Sequence, residues 1–220
     1  MAEVKPDIVK IINILKKSYK AWNAPVVTVI SRRCHDPFKI LISTILSQRT
    51  KDAVTLGASE RLFNLAKDVK SIALLKEKQI RNAIYPVGFY RTKAKRIKLL
   101  SHVLINEFNG TVPDTIDDLI KLKGVGRKTA NLVISLGYNK PGICVDTHVH
   151  RISNRFGYVR TKTPYDTEMA LRRTLPERYW IIYNDLLVSL GQAICNPVSP
   201  RCSVCPVSGY CFKIGVIKSR

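Results

Sequence analysis

Two groups of residues in this chain are of types and spacings that do chemistry. Near the C-terminal end four cysteines follow one another as Cys195-x6-Cys202-x2-Cys205-x5-Cys211. Four thiolates on short loops suit a tetrahedral metal or a cubane cluster, and the spacing by itself leaves zinc and iron–sulfur open. Pro197, Pro200 and Pro206 stiffen those loops and lower the entropy lost on closing them. The second group is Gly124-Val125-Gly126-Arg127-Lys128, followed 18 positions after Lys128 by Asp146. Glycines allow a tight turn and a close backbone approach. The N–H groups of such a turn, with those opening the next helix, cradle an anion, and Arg127 and Lys128 add positive charge there. Taken singly, a lysine is ordinarily a solvated surface charge and an aspartate in this setting a helix N-cap.

The elements that must hold these residues read as helices nearly throughout. Ile8, Ile11, Ile12, Leu15 and Tyr19 recur at helical spacing. A Pro-containing, β-branched stretch from Ala24 to Ile30 breaks the pattern, with an isolated strand signal at Val26–Ile30. Asp36-Pro37 opens an apolar helix, PFKILISTILSQ, and further helices are predicted over 51–66, 76–85 and 90–108. Asn109-Gly110 and Pro113 mark a turn, after which helices are predicted over 115–123, 127–136, 145–156, 165–175 and 178–194. The sequence therefore predicts an all-α fold of about ten short helices. Val125 is expected to plug back between the two helices of its hairpin.

Lys and Arg number 37 against 16 Asp and Glu, a net charge of +21 over 220 residues. An excess of that size implies a polyanionic partner, nucleic acid first and an anionic membrane surface second. No stretch has the length and apolarity of a membrane span. The first ten residues contain Glu3 and Asp7 and lack the look of a signal or transit peptide, so a cytoplasmic, nucleoid-associated protein is expected. In a reducing compartment the crowded cysteines point to metal rather than to disulfides, with Cys34 and Cys144 as ordinary thiols.

The combination LKGVGRKTAN, a Pro141-Gly142 turn, then Val145-Asp146-Thr147-His148-Val149-His150-Arg151 resembles the signature of the helix–hairpin–helix, Gly/Pro-rich, catalytic-Asp superfamily of base-excision glycosylases. Within it the chain is most similar to the endonuclease III family, from about Pro37 to Cys211. The resemblance implies two helical domains, 30–140 as a six-helix barrel-type domain with the hairpin and 1–29 with 141–220 as an iron–sulfur domain, with a DNA-binding and catalytic cleft between them. It implies Lys128 as nucleophile and Asp146 as the essential carboxylate. An uncharged amine displaces the damaged base at the sugar C1′ carbon and leaves an imine that permits β-elimination. The carboxylate stabilises positive charge on the sugar and helps take the proton of the amine.

The same resemblance assigns Cys195, Cys202, Cys205 and Cys211 to a [4Fe–4S] cluster. It assigns Gly124, Val125, Gly126 and Arg127 to phosphate binding. Ser47-Gln48-Arg49-Thr50 resembles the family loop that fills the gap left by an extruded nucleotide. Arg49 stands where relatives usually carry Gln, with Gln48 one position earlier, so either side chain is a candidate. Phe89 matches the second wedge position, with core packing as its alternative, and Lys93 and Lys95 are expected to touch phosphate. His148 and His150 are read as packing residues.

The implied activity is that of a monomeric, bifunctional DNA glycosylase and AP lyase that acts on oxidised pyrimidines in double-stranded damaged DNA. The rival readings are a mismatch-specific thymine or uracil glycosylase, in which Tyr often stands at the position of Lys128, and a non-catalytic iron–sulfur DNA-binding protein, which would not need Lys128 and Asp146 together. An adenine glycosylase would carry a further recognition domain, and a ferredoxin-like carrier would not need this charge.

Overall fold

The computed structural model describes residues 6–220, and among them there is no β-strand. Residues 1–5 of the expected N-terminal segment lie outside that description. Twelve α-helices follow in order: α1 (Ile8–Ser18), α2 (Val26–Cys34), α3 (Pro37–Ser47), α4 (Asp52–Leu65), α5 (Val69–Leu74), α6 (Glu77–Ile84), α7 (Tyr90–Phe108), α8 (Ile116–Lys121), α9 (Arg127–Tyr138), α10 (Thr147–Phe156), α11 (Pro164–Thr174) and α12 (Trp180–Ala193). They fall into two compact units. One runs from Val26 to Gly142; the other joins the described residues through Pro25 to Ile143–Arg220.

In the Val26–Gly142 unit α3 is the central element. Ile40, Leu41, Ile42, Ile45 and Leu46 have no exposed surface, and a helix apolar all round must be buried on every side. Around it pack α2, α4, α7 and α9. Asp36 caps α3 by accepting from the Phe38 and Lys39 N–H groups at 2.8 and 3.3 Å. Gly137 of α9 lies against Pro37: a Cβ there would stand 3.1 Å from the Pro37 Cα, so the absent side chain sets how closely α9 approaches α3.

Two helices go beyond the sequence reading. The stretch Val26–Ile30, whose isolated strand signal broke the helical pattern, is the first half of α2, where Val26, Val27 and Ile30 are buried. β-branched residues lower helix propensity only by tenths of a kcal/mol, and burial of that face against α3 and α4 outweighs the preference. The short helix α5 was not anticipated. It rests on a reciprocal cap, in which Ser71 N–H donates to Asp68 at 2.8 Å and Asp68 N–H donates to the Ser71 hydroxyl at 3.1 Å.

The other unit draws on both ends of the chain. The apolar stripe of α1 (Ile8, Ile11, Ile12, Leu15) packs against α12, and α10 packs against α11 and α12. Tyr183, Phe156, Leu186, Leu187 and Leu190 fill its core. The Tyr183 hydroxyl stays satisfied there, 3.0 Å from that of Ser153.

Candidate functional site

The hairpin between α8 and α9 has the geometry that its glycines suggest. Gly124 holds φ +89°, and a Cβ on it would stand 2.6 Å from the Arg96 side chain. Both the left-handed backbone and the close Arg96 stem therefore require glycine. Val125 is buried, and its N–H closes the turn onto Leu122 C=O at 2.9 Å. Gly126 caps α9 with no side-chain hydrogen bond and has open space around its Cα. A helix start built this way offers its backbone dipole to an anion rather than to its own side chains. Lys128 lies in the first turn of α9 with its side chain exposed, and Arg127 is half-buried beside it.

Two loops of the same unit stand together. Gln48 ends α3 and its amide nitrogen lies 3.4 Å from the Thr129 hydroxyl, next in sequence to Lys128. Arg49 follows at φ +53° and Phe89 caps α7 at φ +58°, both exposed. The Arg49 guanidinium lies 5.6 Å from the Phe89 ring centroid, within cation–π range. Phe89 is 63% exposed, which removes core packing as its role. Two bulky residues held in a conformation that costs about 1–2 kcal/mol each, at one exposed place, mark a constrained surface.

Lys93 departs from expectation. It was expected to touch phosphate; instead it is 4% exposed. Its ammonium donates to the carbonyls of Leu46 at 2.9 Å and Gln48 at 2.5 Å and lies 3.4 Å from the Thr50 hydroxyl. Burial, with the Arg96 charge adding to it, pushes its pKa down to about 8. Helical periodicity explains the difference: position 93 falls on the buried stripe of α7 with Ala94, Ile97 and Leu100, whereas Lys95 points outward. Gly88 also escaped the sequence reading. A Cβ there would meet the Arg49 carbonyl oxygen at 2.4 Å, and its N–H donates to the Thr50 hydroxyl at 3.1 Å.

In the other unit Asp146 is the N-cap of α10, its Oδ1 accepting from the N–H groups of His148 at 2.8 Å and Val149 at 2.9 Å. The cap holds the carboxylate rigidly at a helix start. Further along α10, Arg151 donates to Cys195 C=O at 2.8 Å, and Arg155 donates to the Asn196 and Pro197 carbonyls, each at 2.6 Å. One helix thus carries Asp146 at its start and pins the loop after Cys195 at its end. Neither arginine role had a sequence signal, because an Arg on a polar helix face reads as solvated. Gly191 of α12 admits the His148 ring, whose Nδ1 would lie 2.3 Å from a Cβ at that position. The His150 Nδ1 sits 2.7 Å from the Thr167 hydroxyl.

Cys195, Cys202, Cys205 and Cys211 line one small pocket of about 20 Å³, with Arg155, Phe156, Leu190 and Ile194 among its walls. All four are free thiols. Among the described residues no three His, Cys, Asp or Glu side chains are arranged to hold a single metal ion. The Arg155 guanidinium donates to the Cys195 sulfur at 3.3 Å and Lys213 N–H to the Cys211 sulfur at 3.4 Å. Burial, together with the neighbouring cysteines, pushes the Cys205 thiol up to about 11 and raises that of Cys211 as well. The segment after Cys211 wraps the pocket: Ile214 N–H donates to Arg155 C=O at 3.1 Å, Arg220 N–H to Pro200 C=O at 2.9 Å, and Ser203 N–H to Arg220 C=O at 3.0 Å.

Among the described residues no helix is long and apolar enough to cross a membrane. Residues 42–177 match the model of the HhH-GPD superfamily base excision DNA repair protein. Over 176 residues the chain is 47% identical to a Thermotoga maritima protein named "Endonuclease III", covering 80% of this chain and 83% of that one. It spans about half the length of two chloroplastic Arabidopsis thaliana relatives that it also matches. Among solved structures it is similar to "Structure of a non-covalent Endonuclease III-DNA Complex", at 32% identity and a TM-score of 0.81 over 94% of each chain. It is also similar to "Structure of a Trapped Endonuclease III-DNA Covalent Intermediate: Estranged-Adenine Complex", at 36% identity and a TM-score of 0.76 over 81% of this chain and 84% of that one.

Proposed function

This chain belongs to the HhH-GPD superfamily of base excision DNA repair proteins and, within it, to the endonuclease III family, and from that premise we propose that it is a bifunctional DNA glycosylase and AP lyase acting on oxidised pyrimidines in damaged duplex DNA. The observation that carries the reading is Lys128: an exposed primary amine in the first turn of α9, directly after a glycine hairpin built to take an anion. Backbone N–H groups of the glycine hairpin and of the first turn of α9, with Arg127, hold a phosphate of the lesion strand and bring its sugar to the amine.

The chemistry balances on these residues. The Lys128 amine, uncharged when it attacks, forms a bond to C1′; the C1′–base bond breaks, and the base departs with the electron pair and takes up a proton. Asp146 stabilises the positive charge that develops on the sugar and helps to remove the proton of the amine. Opening of the sugar ring gives an imine between Lys128 and C1′. Loss of a C2′ proton then drives out the 3′ phosphate, water releases the lysine, and the strand is left cut on the 3′ side. Gln48 or Arg49 fills the space from which the nucleotide has turned out, and Phe89 wedges into the opposite strand.

The cysteine pocket fits a [4Fe–4S] cluster held by Cys195, Cys202, Cys205 and Cys211. Its support is that four free thiols line one pocket and that N–H groups of Arg155 and Lys213 point at two of the sulfurs. When bound, the cluster would supply a covalent cross-link that ties these short loops to one another and to the segment just after α12. The two compact units then correspond to a helix–hairpin–helix domain and an iron–sulfur domain, and the protein works beside the nucleoid.

Borohydride reduction tests the reading. Wild-type protein on an abasic or oxidised-pyrimidine duplex is expected to give a covalent adduct that Lys128→Gln does not form. An undiminished adduct in Lys128→Gln would refute the nucleophile. Iron and sulfide analysis of anaerobically purified protein, with zinc measured alongside, decides the metal.

A further inference from the structure

A lysine buried away from water is costly unless its ammonium is fully used. Lys93 is 4% exposed, and its three donors meet three oxygens: Leu46 C=O at 2.9 Å, Gln48 C=O at 2.5 Å and the Thr50 hydroxyl at 3.4 Å. All three acceptors belong to the end of α3 and the loop after it, whereas Lys93 sits in the first turn of α7, behind Phe89. The Thr50 hydroxyl also accepts from Gly88 N–H at 3.1 Å, and Gly88 has no room for a side chain against Arg49 C=O. The ammonium is therefore a clamp between two loops. One carries Gln48 and Arg49; the other carries Phe89, over which the Arg49 guanidinium lies. An apolar side chain of equal length would fill the space but leave the Leu46 and Gln48 carbonyls without this donor. A cation specifies one arrangement of the carbonyls it binds.

We propose that Lys93 is a positioning residue for nucleotide extrusion, holding the Gln48–Thr50 loop in the conformation that presents Gln48, Arg49 and Phe89 together to the duplex. This rests on the glycosylase–lyase reading above. It assigns Lys93 no contact with DNA and no part in the bond-breaking steps.

The test separates extrusion from chemistry. Lys93→Met keeps the length and loses the donors; Thr50→Val, milder, removes the shared hydroxyl and keeps the shape. Each is assayed on a duplex with an oxidised pyrimidine opposite a normal base, on the same lesion opposite an abasic analogue, and by borohydride trapping on a ready-made abasic duplex. Displacing a positioned group by about 1 Å costs on the order of 100-fold. Base excision from the paired lesion is therefore expected to fall about 10- to 100-fold in Lys93→Met. Thr50→Val changes it in the same direction and less, and the other two assays stay within about 2-fold in both variants. Equal losses in all three assays would make Lys93 a support of the fold and overturn the proposal, as would an unchanged paired-lesion rate. Should Lys93→Met not fold, the same ratios read from Thr50→Val decide. A wild-type protein that excises no base and forms no adduct refutes the glycosylase–lyase reading itself, a result distinct from either.

Discussion

At the scale of single residues, the site combines groups whose environments differ sharply. Asp146 uses one carboxylate oxygen on two backbone N–H groups, a task that asparagine performs about as well. Asp146→Asn is thus expected to keep its melting temperature within a few degrees and to keep DNA binding, while base removal slows by about 10²- to 10⁴-fold. Parallel thermal melts, gel-shift assays and single-turnover excision would show it. Lys93 titrates in an unusual range. Its pKa of about 8 lies below the ordinary lysine value of 10.5, so between those limits the unfolded chain binds more protons than the folded one. Stability from this group therefore rises with pH across that window. The groups around it are the Arg96 charge and three neutral oxygens. Denaturant titrations of wild type and Lys93→Met from pH 7.5 to 10.5 should show their difference shifting in favour of wild type as pH rises. A constant difference would mean an ordinary pKa.

At the scale of elements, the hairpin and α10 carry the argument. Substituting Gly124 by alanine puts a Cβ into a left-handed backbone, at roughly 1 kcal/mol, and against the Arg96 stem. The expected outcome is a lower melting temperature together with weaker binding to undamaged duplex, since both sides of the proposed phosphate clip shift. At the other unit's end, α10 reaches the cysteine loops through Arg155, and the tail after Cys211 closes over them. Removing residues 215–220 deletes the pairing of Arg220 with Pro200 and Ser203. For the proposed cluster, chelator-driven iron release, followed by the loss of visible absorbance, is expected to accelerate several-fold, as local opening governs access to buried groups. Of these elements α8, α9 and the long α7 were plain from periodicity and turn residues. The helix α2 was not, because its β-branched composition argued for a strand and only its partners α3 and α4 decided otherwise.

At the scale of the whole molecule, a net charge of +21 sets how the protein meets a polyanion. Each phosphate neutralised by Lys or Arg releases condensed counterions, so affinity for undamaged duplex should fall steeply with salt, with a log–log slope of about −4 or steeper. Fluorescence anisotropy at several ionic strengths measures it, and a flat dependence would remove nucleic acid as the reason for the charge. The lysine and arginine count was legible at once. Where those charges go was not: among them Lys93 and Arg155 are buried and serve the protein's own backbone.

The chain's residues by themselves determined what depends on local periodicity and on side-chain chemistry: an all-α fold, a glycine hairpin followed by cations, four thiols on short proline-stiffened loops, and membership in a DNA-repair family. Tertiary structure alone decided what depends on neighbours far apart in the chain. It turned Val26–Ile30 into helix, packed Ile11 and Leu15 against α12 some 170 positions away, and brought the Lys93 ammonium to the carbonyls of Leu46 and Gln48. The physical reason is that burial and hydrogen-bond satisfaction are properties of the assembled core. A lysine reads the same in a list of residues whether its charge ends in water or on a carbonyl 2.9 Å away.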